Sequence, residues 1–205
     1  TVDTKQFNQL MEKRKEEARK SWKGSGSDKI EKIWYELKDK FGATEFVGYN
    51  SDKTEAKILS IIKDGKEYKN PKKNDPAILI TNQTCFYAEA GGQVGDRGKI
   101  KTETGIFQVE DTQKFFGSLF AHIGILVDGE IKINQDSILE IDKSRRANIR
   151  SNHSATHLLH AALREELGTH VAQRGSYVGP DRLRFDFSHS KQINEMELSR
   201  INNRV

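Results

Sequence analysis

From Phe46 to about Ile141 the chain reads in short β-prone runs of period two: FVGY, AKILSIIKDG, AILIT, GKIKTE, GIFQVEDT, LFAHIGILV, GEIKI and SILEID. The turn chemistry of DGKE, TETG and DGE punctuates them, and KNPKKNDP (Asn70 to Pro76) is a loop between two of the runs. An open sheet of seven or eight such strands would expose its edges, so the pattern predicts a closed antiparallel barrel.

Both flanks are helical. Residues 4–22 are dense in Lys, Glu, Arg and Gln with a thin apolar stripe of Phe7, Leu10 and Met11, which predicts an exposed helix ended by the flexible GSGS at 24–27. A second helix, about Asp28 to Lys40, carries Ile30, Ile33, Trp34 and Leu37 at i, i+3, i+4 and i+7, a stripe that needs something to cover. After DKSRR the helical period returns from Asn152 to Leu167, with Gly168 able to supply a left-handed cap. Then come a turn at Gly179-Pro180, a strand with Leu183, Phe185 and Phe187 on one face, and a helix from about Gln192. The chain stops inside that last pattern, which suggests a piece of a longer protein. The fold class is therefore α+β: N-terminal helices, an antiparallel β-barrel, then an α/β core truncated at its C-terminus.

Composition narrows the setting. With 35% hydrophobic and 31% charged residues, and apolar runs no longer than ILSII, nothing in the sequence approaches the ~20 apolar residues of a membrane span. The first twenty residues lack the apolar centre of a signal peptide, and one cysteine, Cys85, allows no internal disulfide, so a cytoplasmic location is the default expectation. The net charge of +4 is unevenly spread: Lys and Arg outnumber Asp and Glu 11 to 8 over 1–40 and 11 to 6 over 143–205, but trail 12 to 16 between them. Arg145, Arg146, Arg150, Arg174, Arg182 and Arg184 are placed to contact phosphates, although a solvated surface is the commoner meaning of such charges.

Three stretches could carry chemistry. In RSNHSATHLLHAALREELG, Ala155, Leu158, Leu159, Ala162 and Leu163 share one side of the helix, and His153, His157, His160 and Arg164 the other. His153 and His157 stand at i and i+4, a spacing at which two imidazoles reach one metal ion, though a solvated histidine face is the commoner meaning of an isolated pair. Ser154 occupies the position where a zinc-protease helix would carry its glutamate base, so a protease is excluded. Two histidines do not complete a zinc site, and His160, His170, His189 and Cys85 remain open as further ligands. The second stretch, CFYAEAGGQVGDRG, has glycines at 91, 92, 95 and 98 beside Glu89, Gln93 and Asp96. It is not a phosphate loop, because no Gly-Lys-Ser/Thr follows; it is either a turn with unusual backbone angles or a close backbone approach to a ligand, and the polar neighbours slightly favour the ligand. The third stretch carries Gln173, Ser176 and Arg184, polar residues able to line a site.

Together and in this order, FYAEAGGQVGDRG, VEDTQK, HIG and RRANIRSNHSATHLLHAALREELGTHVAQRGSYVGPDRLRFDFSH resemble the editing region of the bacterial alanyl-tRNA synthetase family. The resemblance runs from about Asp3 to the last residue and is most specific over 86–96 and 145–189. It implies a β-barrel joined to an editing core that hydrolyses the ester of tRNA(Ala) mischarged with serine or glycine. It also implies zinc ligation by His153 and His157, with further ligands in a Cys-Gly-Gly-Thr-His motif that these residues do not contain. Cys85 falls where relatives usually carry proline, so the resemblance gives it no zinc role. By the same resemblance Thr156, Gln173 and Ser176 are catalytic residues. Gly91, Gly92, Gln93, Arg150 and Arg184 are expected to bind the substrate or tRNA. The expected division is a helical connector over 1–27, a barrel domain with its leading helix over 28–144, and the first part of the editing domain over 145–205. ATP and magnesium would serve only an aminoacylation domain that is not in this sequence.

The alternatives are a non-catalytic tRNA-binding barrel, a free-standing editing protein (disfavoured by the leading helices), and an unrelated metal hydrolase using His160, His170 or His189. On the leading reading, residues 1–205 alone are expected to bind zinc weakly and to deacylate poorly.

Overall fold

The computed structural model describes Ser27 to Val205 apart from Asn70, and side chains from Lys32 onward. The helix expected over 4–22 and the connector up to residue 26 lie outside the described residues.

Helix α1 (Ser27–Phe41) uses its stripe as the spacing demands: Ile33, Trp34 and Leu37 pack on Ile62, Ile80, Leu119 and Ala121 of the strands below. Trp34 also stacks on Phe115 with ring centroids 3.9 Å apart. The helix ends at Gly42, whose φ of 73° suits glycine and whose N–H donates to Lys38 O at 2.8 Å.

The strands are β1 (Glu45–Phe46), β2 (Lys53–Lys63), β3 (Lys66–Glu67), β4 (Pro76–Thr81), β5 (Gln83–Thr84), β6 (Gly98–Thr102), β7 (Gly105–Phe115), β8 (Leu119–Gly129) and β9 (Asp136–Ile141). Neighbours run β2-β4-β8-β7-β6-β9, and β9 pairs back onto β2, which closes a six-stranded antiparallel barrel. Strand β2 closes it by changing partner along its length: Lys53 to Lys57 pair with β9, and Ile58 to Ile62 with β4. Inward residues including Ile58, Leu79, Ile100, Phe107, Val109, Leu126 and Leu139 form the barrel core, joined by Phe86 from the segment after β5. His122 is wholly buried at the wall of this core, with Nδ1 3.0 Å from Leu79 O and Nε2 2.8 Å from Thr84 Oγ1. A carbonyl only accepts, so Nδ1 carries the proton and Nε2 accepts from the threonine. Burial pushes the pKa of this neutral ring down to about 4.

Two expected strands differ. GEIKI forms none: Ile131 turns into the barrel core while the N–H of Glu130 donates to Thr104 O, so its apolar residues fill the core without joining a ladder. In FVGY only the first residue is extended; β1 pairs in parallel with β5 outside the barrel, and the chain turns at residues 48–50.

After the barrel come α2 (Lys143–Leu167), β10 (Ala172–Val178), β11 (Leu183–Ser188) and α3 (Glu195–Arg204). Helix α2 begins at Lys143, not Asn152. Asp142 caps it by accepting from the N–H of Arg145 at 2.9 Å, and the added turns carry a single buried apolar residue, Ile149, too little for a periodic signal. Gly168 follows the helix at φ 112° and ψ 164°, a positive-φ conformation but an extended one, not the left-handed cap expected. Strands β10 and β11 form an antiparallel hairpin, and α3 starts with a capping box between Asn194 and Glu197. Ala162, Leu163, Val171 and Ile201 make the core of this second unit, with Phe185 and Phe187 packed against it. The whole is α+β with a barrel.

Candidate functional site

The glycine-rich segment makes a tight two-residue turn. Ala90 and Gln93 exchange backbone hydrogen bonds of 3.1 and 3.0 Å across Gly91 and Gly92, whose φ angles of 60° and 87° are those of a hairpin turn that favours glycine. This turn docks on β10: Val178 N–H donates to Gly92 O at 2.8 Å, and Val94 N–H to Val178 O at 3.1 Å. A Cβ on Gly92 would stand 2.4 Å from Ser176 Oγ, whereas one on Gly91 would meet nothing within 4 Å. Gly95 and Gly98 serve close approach to the backbones of Thr112 and Glu140. Thus only Gly91 is open for a ligand, and the other three glycines approach the protein itself.

A buried ion pair holds α2 against the same loop. Asp96 is 1% exposed; it accepts from the N–H of Tyr87 at 2.7 Å and from Arg146 Nε at 2.9 and 3.0 Å, and the Arg146 guanidinium also donates to Gly48 O and Cys85 O. Arg145 Nη1 donates to Gly95 O at 2.8 Å. Arg145 and Arg146 therefore face the barrel instead of standing free for phosphate. Neither they nor Asp96 stood out as a structural tie in the sequence. The sign was present: a carboxylate between two glycines of the loop's second half, and a double arginine shortly after the acidic residue that caps a helix.

Counting forward from Arg146, the residues at 149, 153 and 156 recur on one side of α2, and on this side Arg146 and His153 meet the barrel loop. His153 Nδ1 lies 2.7 Å from the side-chain oxygen of Gln93, which is itself 7% exposed. His157 stacks beside His153, centroids 5.0 Å apart. Thr156 is buried, and its hydroxyl donates to Asn152 O at 2.8 Å, while Leu158 is 53% exposed. The expected apolar side packs at Ala162 and Leu163 in the second core but leaves Leu158 exposed, and of the histidines His153 and His157 are exposed while His160 is half-buried against Phe185. Ile149, Thr156 and Leu163 recur at intervals of seven, so one side of the helix is buried along its length.

Gln173 Nε2 donates to Ser176 Oγ at 3.2 Å, and Ser176 Oγ to Gly91 O at 3.3 Å, which joins β10 to the turn. Gly91, Gly92, Gln93, His153, Gln173 and Ser176 therefore belong to one locality, with His157 and Thr156 on the adjoining turn of α2. Arg150 is exposed on the same helix. Arg184 is not brought in: it pairs in register with Tyr177, alternates with Phe185, and contacts Asp186 at 3.1 Å.

A metal could use the two imidazoles, whose i, i+4 stacking suits shared ligation. Among the described residues no three His, Cys, Asp or Glu side chains gather at one point. His170 and His189 pair with each other at 2.8 Å, and His160 lies against Phe185. Cys85 is enclosed in the barrel core, where burial pushes its thiol up to about 12, so it supplies no thiolate. The set fits half of a zinc site.

A barrel that presents a glycine turn to a histidine-bearing helix is thus the frame of the molecule. Residues 1–145 match the family of tRNA synthetases class II (A), and the chain belongs to it. Over 201 residues, 98% of the chain, it is 52% identical to an alanine-tRNA ligase of Bradyrhizobium diazoefficiens. It is also 52% identical over 197 residues to one of Rhizobium meliloti, and 50% identical over 201 residues to one of Chelativorans sp.. The chain spans only 22 to 23% of the length of these relatives. Among the described residues no helix is long and apolar enough to cross a membrane.

Proposed function

We propose that this chain is the barrel and first part of the editing domain of an alanine-tRNA ligase, and that it contributes to hydrolysis of Ser-tRNA(Ala) and Gly-tRNA(Ala). The observation that carries the reading is the convergence of the glycine turn, Gln173, Ser176 and His153, residues from three distant stretches of sequence. The domain division at 144/145 and a cytoplasmic location go with it, as do ATP and magnesium in the aminoacylation domain of the whole ligase.

His153 and His157 would hold zinc, with the remaining ligands coming from outside these residues. When bound, zinc orients the ester or the attacking water and stabilises charge developing on oxygen. Gly91 leaves room for the aminoacyl end beside the turn, and Ser176 and Gln173 present hydrogen-bonding groups there. Arg150 would bind phosphate. The carboxylates of the loop are already engaged, Asp96 with Arg146 and Glu89 with Gln113, so no protein carboxylate is assigned as the base.

Serine differs from alanine by one hydroxyl, which a hydrophobic pocket rejects poorly, so a second hydrolytic site is needed. Because the Thr156 hydroxyl already donates to Asn152 O, its lone pairs would accept from the hydroxyl of serine. That added hydrogen bond is worth about 0.5 to 1.5 kcal/mol.

The test is zinc content and deacylation of Ser-tRNA(Ala), measured on this chain and on the same chain continued through a Cys-Gly-Gly-Thr-His segment. Weak binding and slow hydrolysis by the first, with gain of both by the second, are expected. Robust zinc-dependent deacylation by residues 1–205 alone would overturn the divided site. Gain of neither by the longer chain would leave a tRNA-binding barrel.

A further inference from the structure

Gln93 belongs to the barrel and His153 to the helix that follows it, yet their side chains meet at 2.7 Å. The contact is well supported from both ends. Gln93 is 7% exposed, its backbone is tied to Ala90 at 3.0 Å within the turn, and its neighbour Val94 is bonded to Val178 at 3.1 Å. On the other side, Arg146 anchors the start of α2 to Asp96, and Asn152 Nδ2 donates to Gly179 O at 2.8 Å. The atom that faces His153 Nδ1 is the carboxamide oxygen, which only accepts. Nδ1 must then carry the ring proton, and the lone pair is left on Nε2. A neutral imidazole free in water prefers the opposite tautomer, with the proton on Nε2.

We infer that Gln93 is a positioning residue: its side-chain oxygen holds His153 in the Nδ1–H tautomer and so prepares Nε2 as the ligating nitrogen before any metal arrives. The turn thereby acts on the histidine helix through a side chain as well as through backbone docking. Metal-bound histidines are commonly oriented in this way by an acceptor on the second ring nitrogen. The importance of the tautomer for a metal rests on the zinc reading above; the tautomer itself does not.

The test uses the chain freed of metal by a chelator, with long-range proton–nitrogen NMR to read which ring nitrogen of His153 is protonated. His153→Asn identifies the signals by their loss. The wild type and Gln93→Glu, which keeps an oxygen at the same reach, are expected to show Nδ1–H, and Gln93→Leu to move His153 toward Nε2–H. Zinc affinity in Gln93→Leu should fall by about 10- to 100-fold, with Gln93→Glu restoring it. An Nε2–H tautomer in the wild type overturns the inference without any variant, and so does Nδ1–H retained in a folded Gln93→Leu. If the tautomer switches as stated but the chain continued through a Cys-Gly-Gly-Thr-His segment takes up no zinc, the metal reading is overturned and the assignment of Gln93 to the tautomer stands.

Discussion

The barrel and the unit that follows it enclose their polar groups to different degrees. In the barrel strands and loops buried polar side chains have internal partners: Thr84 with His122, Thr112 with Asp96 O, Ser137 with Ala56 O, Ser60 with Glu67. Among the described residues the covering helix leaves Trp34 Nε1, and the second unit His160 Nε2, buried without one. In the second unit the core is thin, Met196 is 71% and Leu198 58% exposed, and His153 and His157 stand at the surface. A rigid, satisfied platform thus holds the turn in place, and the less enclosed unit displays the residues that can react. Among the ties between them are Asp96 to Arg146, the turn to β10, and Gln93 to His153.

The largest effect should come from cutting the first tie. Asp96→Ala leaves the Arg146 guanidinium half-buried without its carboxylate, and chemical denaturation should show a loss of about 3 to 5 kcal/mol. A smaller loss would mean that water reaches this pair and that the two units are less firmly joined than the geometry implies.

Acid should weaken the barrel through His122. Its folded pKa of about 4 lies below the ordinary 6.5, so between those values the unfolded chain takes up a proton that the folded barrel does not. Stability is then full above about pH 6.5, falls as the pH drops, and is lower by about 3 kcal/mol near pH 4. Denaturation midpoints across this range should lose most of that slope in His122→Gln.

The two glycines of the turn separate docking from conformation. Both have positive φ, so Gly91→Ala should cost about 1 kcal/mol for the backbone alone. Gly92→Ala adds a collision with Ser176 and should cost about 1 to 3 kcal/mol more, displacing the turn from β10. Equal midpoints for the two variants would contradict the docking.

These contacts mark where the sequence was legible. The period-two runs and their turns show a closed barrel, and the Ile33, Trp34, Leu37 stripe shows that a helix covers it, because both rest on burial patterns that repeat locally. GEIKI misled because Ile131 is buried by filling a core, which looks the same in sequence as burial within a strand. The first turns of α2 were hidden because they are held by Asp142 and Arg146, a cap and a long-range ion pair, rather than by an apolar stripe. In the site, His153 and His157 were visible from spacing and resemblance. The contact of Gln93 with His153 was not, because sixty residues separate partners that only the docking of the turn brings together.

The central claim is that the turn and the paired histidines form one metal-directed locality, and an NMR-monitored zinc titration of the chain tests it most directly. The ring signals of His153 and His157 should shift together with the side-chain amide of Gln93, while His122, His160, His170 and His189 stay in place. Shifts confined to His170 and His189, or no response from any histidine, would contradict the account.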